Sequence, residues 1–280
     1  MERFGLIGHP IAHSLSPALF KAAYDGKYPY DLIEGEDFEA SYRKFLEEYD
    51  AINVTAPFKE MAFRKADIVT DECKAIGATN LLVKTPEGVK AYNSDFLGVQ
   101  KWLKERSLDF ARDDRRETRD DRKETQDDRR ENQDDRRIKV LVVGYGGAGK
   151  AVAAAAESLG MDVTIMNRTR TNETVLPLED FCEEFRKADI IIYNIPSPID
   201  GLTELSDKDF CGGDSPKLKH ILEANYRNPS FTQDIIDRMS KVNPLATYTQ
   251  GQTWLLYQAM TGYELFTGKT PDLARMRKVL

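Results

Sequence analysis

Val140-Leu141-Val142-Val143-Gly144-Tyr145-Gly146-Gly147-Ala148-Gly149-Lys150 is the stretch that decides the fold. An apolar run is cut short by Gly144-x-Gly146-x-x-Gly149, and the small residues Ala151 to Ala156 follow. The pattern reads as strand, tight turn, helix. Amides at such a helix start carry the positive end of the helix dipole and suit a phosphate. Gly144 permits the turn, Gly146 lets backbone approach the phosphates, and Gly149 allows close helix–strand packing. Gly147 and Ala148 complete the loop. The next apolar run, Met161 to Met166, reads as the following strand. Asn167-Arg168-Thr169 then stand where a dinucleotide fold meets the adenosine ribose, about 20 residues after the glycines. An acid there would bind the 2′-hydroxyl of NAD. This chain has Asn167, then Arg168 and Arg170. A guanidinium forks onto a 2′-phosphate that a carboxylate would repel, so the reading is NADP.

A P-loop competes for the same residues. Gly144-x-x-x-x-Gly149-Lys150 matches, but the Ser or Thr that would hold magnesium is Ala151. The apolar strand at 189–193 ends in Asn194 and Ile195 rather than an acid for the metal. A nucleotide triphosphatase therefore ranks below a dinucleotide binder.

The 280 residues suffice for one large or two medium domains with real cores. The formal net charge of −7 argues against a nucleic-acid binder or an anionic-membrane binder, which need a basic face. Cys73, Cys182 and Cys211 are scattered and odd in number, so neither a disulfide framework nor a zinc site is indicated. No segment approaches about 18 uninterrupted apolar residues, and the first residues show no charged lead-in followed by a long apolar run. The expectation is a cytoplasmic protein without resident metal.

Residues 106–137 stand apart. DDRRETR, DDRKETQ, DDRRENQ and DDRR repeat every seven residues, with 11 Lys/Arg against 12 Asp/Glu over the segment. No apolar seam accompanies the period, so a coiled coil is excluded. A solvated helix and a mobile linker both fit, and the segment reads as a tolerated insertion between domains. Before it, strands and helices alternate: strands at 3–8, 30–34 and 51–55, helices at 17–25, 38–49 and 94–104, and a hairpin of 81–83 with 89–92. Alternation of this kind predicts a mostly parallel α/β sheet. Two helices, 253–266 and 271–279, close the chain.

Four polar clusters fall at strand or loop ends, where α/β sheets place ligands. They are Gly8 to Pro17, Asn53 to Lys59, Gly77 to Asn80, and Tyr92 to Gly98. Each also has a plain structural reading: Ser16 or Ser94 as helix caps, Asn80 as a turn residue, Asp95 as a first-turn acid. Together they offer hydroxyls and amides for a small polyhydroxylated molecule. Lys59 and Asp95, with His9 and His13, are the acid–base candidates.

These clusters, in this order, resemble the shikimate dehydrogenase family. The opening motif G-x-P-I-x-H-S-x-S-P is matched by Gly8, Pro10, Ile11, His13, Ser14, Ser16 and Pro17. N-V-T-x-P-x-K is matched by Asn53 through Lys59, I-G-A-x-N by Ile76 through Asn80, and N-T-D-x-x-G by Asn93 through Gly98 with Ser94 for Thr. The glycine turn, Asn167-Arg168-Thr169, Gly251, Gln258 and Phe266-Thr267-Gly268 follow. The resemblance covers nearly the whole chain outside 106–137. It implies an N-terminal α/β substrate domain plus an NADP-binding Rossmann domain, with a cleft between them. The substrate domain would be 1–105 completed by helices in 250–280, and the Rossmann domain 138–249. It implies reversible NADPH-dependent reduction of 3-dehydroshikimate to shikimate, with Lys59 and Asp95 as the catalytic pair. Ser14, Ser16, Thr55, Asn80, Tyr226 and Gln258 would bind substrate. Gly144, Gly146, Gly147, Ala148, Gly149, Asn167, Arg168, Thr169 and Gly251 would bind cofactor. A monomer or homodimer is implied. Broader quinate/shikimate specificity, or a non-catalytic NADP sensor, are the alternatives.

The chain departs from the family in three places. Ile195 to Gly201 replaces a small-residue A-T-P-x-G-M-type loop that packs the nicotinamide. The acid before the next loop is Glu223 or is absent. Phe20 and Lys21 replace a histidine and an asparagine.

Overall fold

The computed structural model describes residues 2–120, 137–169 and 172–280, with backbone alone for 114–120. Most of the charged repeat, and Arg170, lie outside the described residues. In chain order the first elements are β1 (Phe4–Gly8), α1 (Ser16–Ala23), β2 (Tyr30–Glu34), α2 (Phe38–Glu48) and β3 (Ala51–Val54). Next come α3 (Lys59–Lys65), β4 (Ile68–Val69), α4 (Asp71–Ile76), β5 (Leu81–Thr85), β6 (Gly88–Tyr92) and α5 (Ser94–Asp120). Then β7 (Lys139–Val143), α6 (Gly147–Ser158), β8 (Asp162–Met166), β9 (Val175–Leu176), α7 (Phe181–Lys187) and β10 (Ile190–Tyr193) follow. The chain continues with α8 (Gly201–Glu204), α9 (Asp207–Cys211), β11 (Lys219–Glu223), α10 (Gln233–Val242) and β12 (Ala246–Thr249). It ends with α11 (Gly251–Thr267) and α12 (Leu273–Arg277). Among the described residues, no helix is long and apolar enough to cross a membrane.

The chain forms two compact units, 1–99 with 254–280, and 100–253. The first holds a six-stranded sheet ordered β2-β1-β3-β5-β6-β4. β1 pairs in parallel with β2 and β3, whereas β5 runs antiparallel to both β3 and β6. The sheet is thus mixed rather than mostly parallel. The reason is local: two residues, Pro86 and Glu87, join β5 to β6, and so short a link can only reverse the chain. Strand alternation splits the apolar side chains between two faces. Ile7, Ile52 and Leu82 pack under α2 with Phe38, Tyr42 and Phe45. Phe4, Ala51 and Leu81 pack with Leu19 and Phe20 of α1 and with Leu256, Tyr263 and Phe266 of α11.

The second unit holds a fully parallel sheet, β12-β11-β10-β7-β8-β9. Its order reverses at β7, whose neighbours are β8 on one side and the later β10 on the other. That switch point is where open α/β sheets bind ligands. α5 extends well beyond residue 104. Its stretch past residue 105 also packs: the Phe110 ring lies edge-on to His220 of β11 at 5.3 Å, and Asp109 Oδ2 is 3.5 Å from His220 Nε2. The boundary drawn at 105 therefore falls inside a packed helix. Phe110, a lone aromatic at the edge of a charged tract, is the residue that anchors it.

Candidate functional site

In the first unit the clusters at 53–59, 77–80 and 92–98 meet where α3 and α5 begin, and the 8–17 cluster joins the first of them through the His9 N–H, which donates to the Ala56 carbonyl at 3.2 Å. Lys59 opens α3 and Asp95 sits in the first turn of α5. Lys59 Nζ lies 2.6 Å from Asp95 Oδ2 although 36 residues separate them. The Asp95 side chain is 11% exposed and that of Lys59 31%, so the pair is sheltered yet reachable. The Trp254 indole N–H donates to the Asp95 carbonyl oxygen at 3.1 Å. The Thr79 N–H donates to the Lys59 carbonyl at 3.2 Å, and the buried Thr79 hydroxyl bonds the Leu81 and Tyr92 carbonyls. Neither Trp254 nor Thr79 was singled out from the sequence. Thr79 had a signal, since it lies inside the Gly77 to Asn80 cluster; Trp254 had none.

Asn80 is buried just before β5. Its Oδ1 accepts the Ser94 N–H at 2.7 Å and its Nδ2 donates to Ser94 Oγ at 3.1 Å. Asn93 Oδ1 accepts the Phe96 N–H at 3.1 Å. Thus Asn80 and Asn93, not Ser94, satisfy the first amides of α5. One Asn80 amide hydrogen remains for a ligand. Ser14 donates to Ser16 Oγ at 3.2 Å and accepts the Ser16 N–H at 3.2 Å. Thr55 is half-buried beyond β3, its N–H donating to the Ile7 carbonyl at 2.9 Å. Gln258 lies on α11, where its backbone comes against Gly98; a Cβ there would stand 2.7 Å from Gln258 N. His9 is held between Glu34 and Glu36, at 3.9 and 3.4 Å. His13 is exposed.

In the second unit the glycine turn lies at the end of β7. Gly144 takes φ +94°, a conformation side chains resist, and it packs on Ile195. A Cβ on Gly149 would overlap the Gly144 carbonyl. α6 starts without a side-chain cap, and a Cβ on Gly146 or Gly147 would meet no described atom within 4 Å. Uncapped amides facing open space are a cradle for an anion. Ala148 lies in the first turn of α6. Asn167 Oδ1 accepts the Tyr145 N–H at 3.1 Å, so its oxygen is committed to shaping the turn. Arg168 and Thr169 are exposed at the end of β8. Gly251 abuts the Glu223 and Ala224 carbonyls, leaving no room for a side chain. The residues present fit a dinucleotide with a 2′-phosphate: an open amide cradle, then an exposed guanidinium at the ribose end. Among the described residues no His/Cys/Asp/Glu group is arranged to hold a metal.

The departures have structural explanations. Glu223 is fully buried and accepts the Ser230 N–H, the Phe231 N–H at 3.2 Å and the Tyr248 hydroxyl at 2.6 Å. It closes the 224–231 loop that carries Tyr226, over whose ring the Arg227 guanidinium stands at 5.8 Å. The 195–201 loop is tied by Tyr193, which donates to the Ser197 carbonyl at 2.8 Å, and by Asn225, which donates to the Pro196 carbonyl at 3.0 Å. Phe20 joins the aromatic core of the first unit, 5.2 Å from Phe4.

The shikimate dehydrogenase substrate-binding domain model matches residues 6–82. The model of the NAD-binding domain of D-isomer-specific 2-hydroxyacid dehydrogenases matches 106–204. The shikimate dehydrogenase (NADP(+)) of Thermus thermophilus is 27% identical over 99% of this chain and 97% of its own length. The crystal structure of shikimate 5-dehydrogenase from Thermus thermophilus with NADP(H) and shikimate superposes with a TM-score of 0.72. It is 24% identical and covers 100% of both chains. Quinate dehydrogenase from Corynebacterium glutamicum with NAD reaches 0.74 at 19% identity, covering 99% of this chain and 98% of that one. At these identities the structural likenesses establish the fold.

Proposed function

This chain belongs to the shikimate dehydrogenase family, and on that premise we propose that it interconverts 3-dehydroshikimate and shikimate with NADP(H). The observation that carries the reading is the Lys59–Asp95 pair, 2.6 Å apart, with Thr79 bonded to the Lys59 backbone and Asn80 bonded to Ser94 beside Asp95. NADPH, when bound, supplies the hydride that reduces the ketone carbon. The chain's own residues do the rest. Lys59 Nζ hydrogen-bonds the ketone oxygen and gives it a proton as negative charge develops, yielding the secondary alcohol. Asp95 fixes the direction of Nζ, and Trp254 fixes the backbone that bears Asp95. In the oxidative direction the same pair receives the hydroxyl proton.

Ser14 and Ser16 offer hydroxyls to the substrate carboxylate. Thr55, the remaining amide hydrogen of Asn80, Tyr226 and Gln258 serve its ring hydroxyls. The amides at Gly146, Gly147, Ala148 and Gly149 hold the pyrophosphate; Gly144, whose own N–H donates to the Met166 carbonyl at 2.8 Å, and Asn167 shape that turn. Arg168, flanked by Thr169, pairs with the 2′-phosphate, and Gly251 gives the close backbone approach on the cofactor side. We place the enzyme in the cytoplasm, in keeping with its three free cysteines.

The test follows absorbance of the reduced cofactor during shikimate oxidation, with NADP against NAD and shikimate against quinate. Turnover with shikimate and NADP supports the reading. Turnover with quinate and NAD alone would replace it, and no turnover with any pair would leave the NADP sensor as the better account.

A further inference from the structure

Ser16 opens α1, and the phenol of Tyr263, from a distant part of the first unit, bonds it, with the phenol of Tyr30 packed against that of Tyr263. Tyr263, on α11, donates its hydroxyl to the Ser16 carbonyl oxygen at 3.1 Å. Tyr30, on β2, donates to Asn53 Oδ1 at 2.7 Å, which fixes its oxygen. The two rings stand edge to face, 6.2 Å between centroids, and Phe20 packs on each at 4.8 Å. Burial pushes both phenols above the usual tyrosine range, and hydrogen bonding with Ser16 offsets part of that rise. The core does not require these oxygens. The surrounding cluster includes Phe4, Phe20 and Phe266, and a phenylalanine at either position would fill the same space. A buried hydroxyl costs desolvation unless it is bonded, so its bonding partner is the informative feature. The Tyr263 phenol bonds the one serine of α1 that the proposed function sets against the substrate carboxylate, and the Tyr30 phenol, packed edge to face on Tyr263, bonds Asn53.

We propose that Tyr30 and Tyr263 are positioning residues that hold Ser16 in a single orientation before substrate arrives. Tyr263 clamps the Ser16 backbone from α11, and Tyr30, braced by Asn53, limits where the Ser16 side chain can turn. Ser14 adds two bonds of its own, one to the Ser16 hydroxyl and one from the Ser16 N–H. Preorganisation of this kind removes the ordering cost that a loose serine would add to binding. The inference rests on the proposed activity and deepens its substrate site. It makes no change to the catalytic pair, so its signature is in KM for shikimate and not in kcat.

The test uses the full chain with Tyr30→Phe and Tyr263→Phe, each alone and in a Ser16→Ala background. Each ring stays, so packing is kept and only one oxygen is lost. Each single variant should raise KM for shikimate about 5- to 10-fold, the worth of one hydrogen bond. Both should leave kcat within about twofold and KM for NADP unchanged. In the Ser16→Ala background the same replacements should change KM by less than about twofold, because their effect runs through the missing hydroxyl. Unmoved KM in both single variants overturns the inference, as does an undiminished increment in the Ser16→Ala background. Wild-type enzyme that fails to turn over shikimate at all sinks the activity and this inference together. Wild-type turnover with unmoved KM in the variants sinks the inference alone.

Discussion

Replacing Lys219 with methionine isolates a charge that the second unit buries completely. Lys219 opens β11 with no exposed surface, its Nζ donating to the carbonyls of Phe185 at 2.7 Å and Ala188 at 2.5 Å. Burial, with a smaller push from nearby Lys217, lowers its pKa from 10.5 to about 7. Between those two values the unfolded chain carries a proton that the folded chain lacks. Stability therefore rises with pH across that window, and the full penalty is present below pH 7. Integrated from pH 7 to pH 9, this one group adds about 2 kcal/mol to the unfolding free energy. For a protein of this size that is a midpoint gain of roughly 4–8 °C. Lys219→Met removes the titration and leaves two carbonyls without this donor, an offset of about 1–3 kcal/mol each that does not vary with pH. The expected outcome is a difference between wild type and variant that moves by about 2 kcal/mol in favour of wild type from pH 7 to pH 9. Urea unfolding followed by circular dichroism at half-unit pH steps measures it. Holding the upper limit below pH 9.5 keeps exposed tyrosines out of the comparison. Parallel stability curves for the two proteins would refute the argument, because they would mean that Lys219 titrates alike in both states.

The remaining expectations concern the two ligand sites and the acid limb of stability. Lys59→Ala and Asp95→Asn should each lower kcat for shikimate oxidation about 10²- to 10⁴-fold while NADPH fluorescence titration shows unchanged cofactor affinity; lost cofactor binding would mean the pair is structural. Arg168→Ala should weaken NADP about 10- to 100-fold, the worth of a charge-assisted bond, and leave NAD affinity nearly untouched; equal weakening of both cofactors would remove Arg168 from the 2′-phosphate. Gly149→Ala should abolish tight NADPH binding, since its Cβ overlaps the Gly144 carbonyl and displaces the turn; a variant binding like wild type would show that the cradle is not the cofactor site. His220, lowered to about 4 by burial, keeps its stabilising effect above pH 6.5. About 3 kcal/mol of it is lost as pH falls toward 4, so His220→Gln should flatten the acid limb of a pH–stability curve.

What could be read from the chain, and what could not, divides along a physical line. The glycine turn and the polar clusters were legible because ligand-facing backbone at strand ends is freed from the sheet ladder and needs special residues: Gly144 for its positive φ, Gly149 for contact with a carbonyl, Lys59 and Asp95 for charge. Such demands leave short, dense signatures. α3, β4 and α4 left none, since elements of seven, two and six residues are too short for a period to register, and the charged Lys59–Lys65 segment looks like loop. The true length of α5 was hidden for a different reason. Phe110 gains its meaning only from His220, brought beside it by a sheet formed far downstream. The same holds inside the substrate site. Ser14 and Ser16 announce themselves in a motif, but the phenol bonded to Ser16 sits on α11, with Tyr263 separated from Ser16 by 247 positions. Groups that touch a ligand are constrained by the ligand and cluster in sequence. Groups that aim them are constrained only by the fold and arrive from wherever the topology passes. A tyrosine in an aromatic cluster reads as core until its hydroxyl is found bonded to a serine, so the oxygen, and not the ring, is the part to perturb.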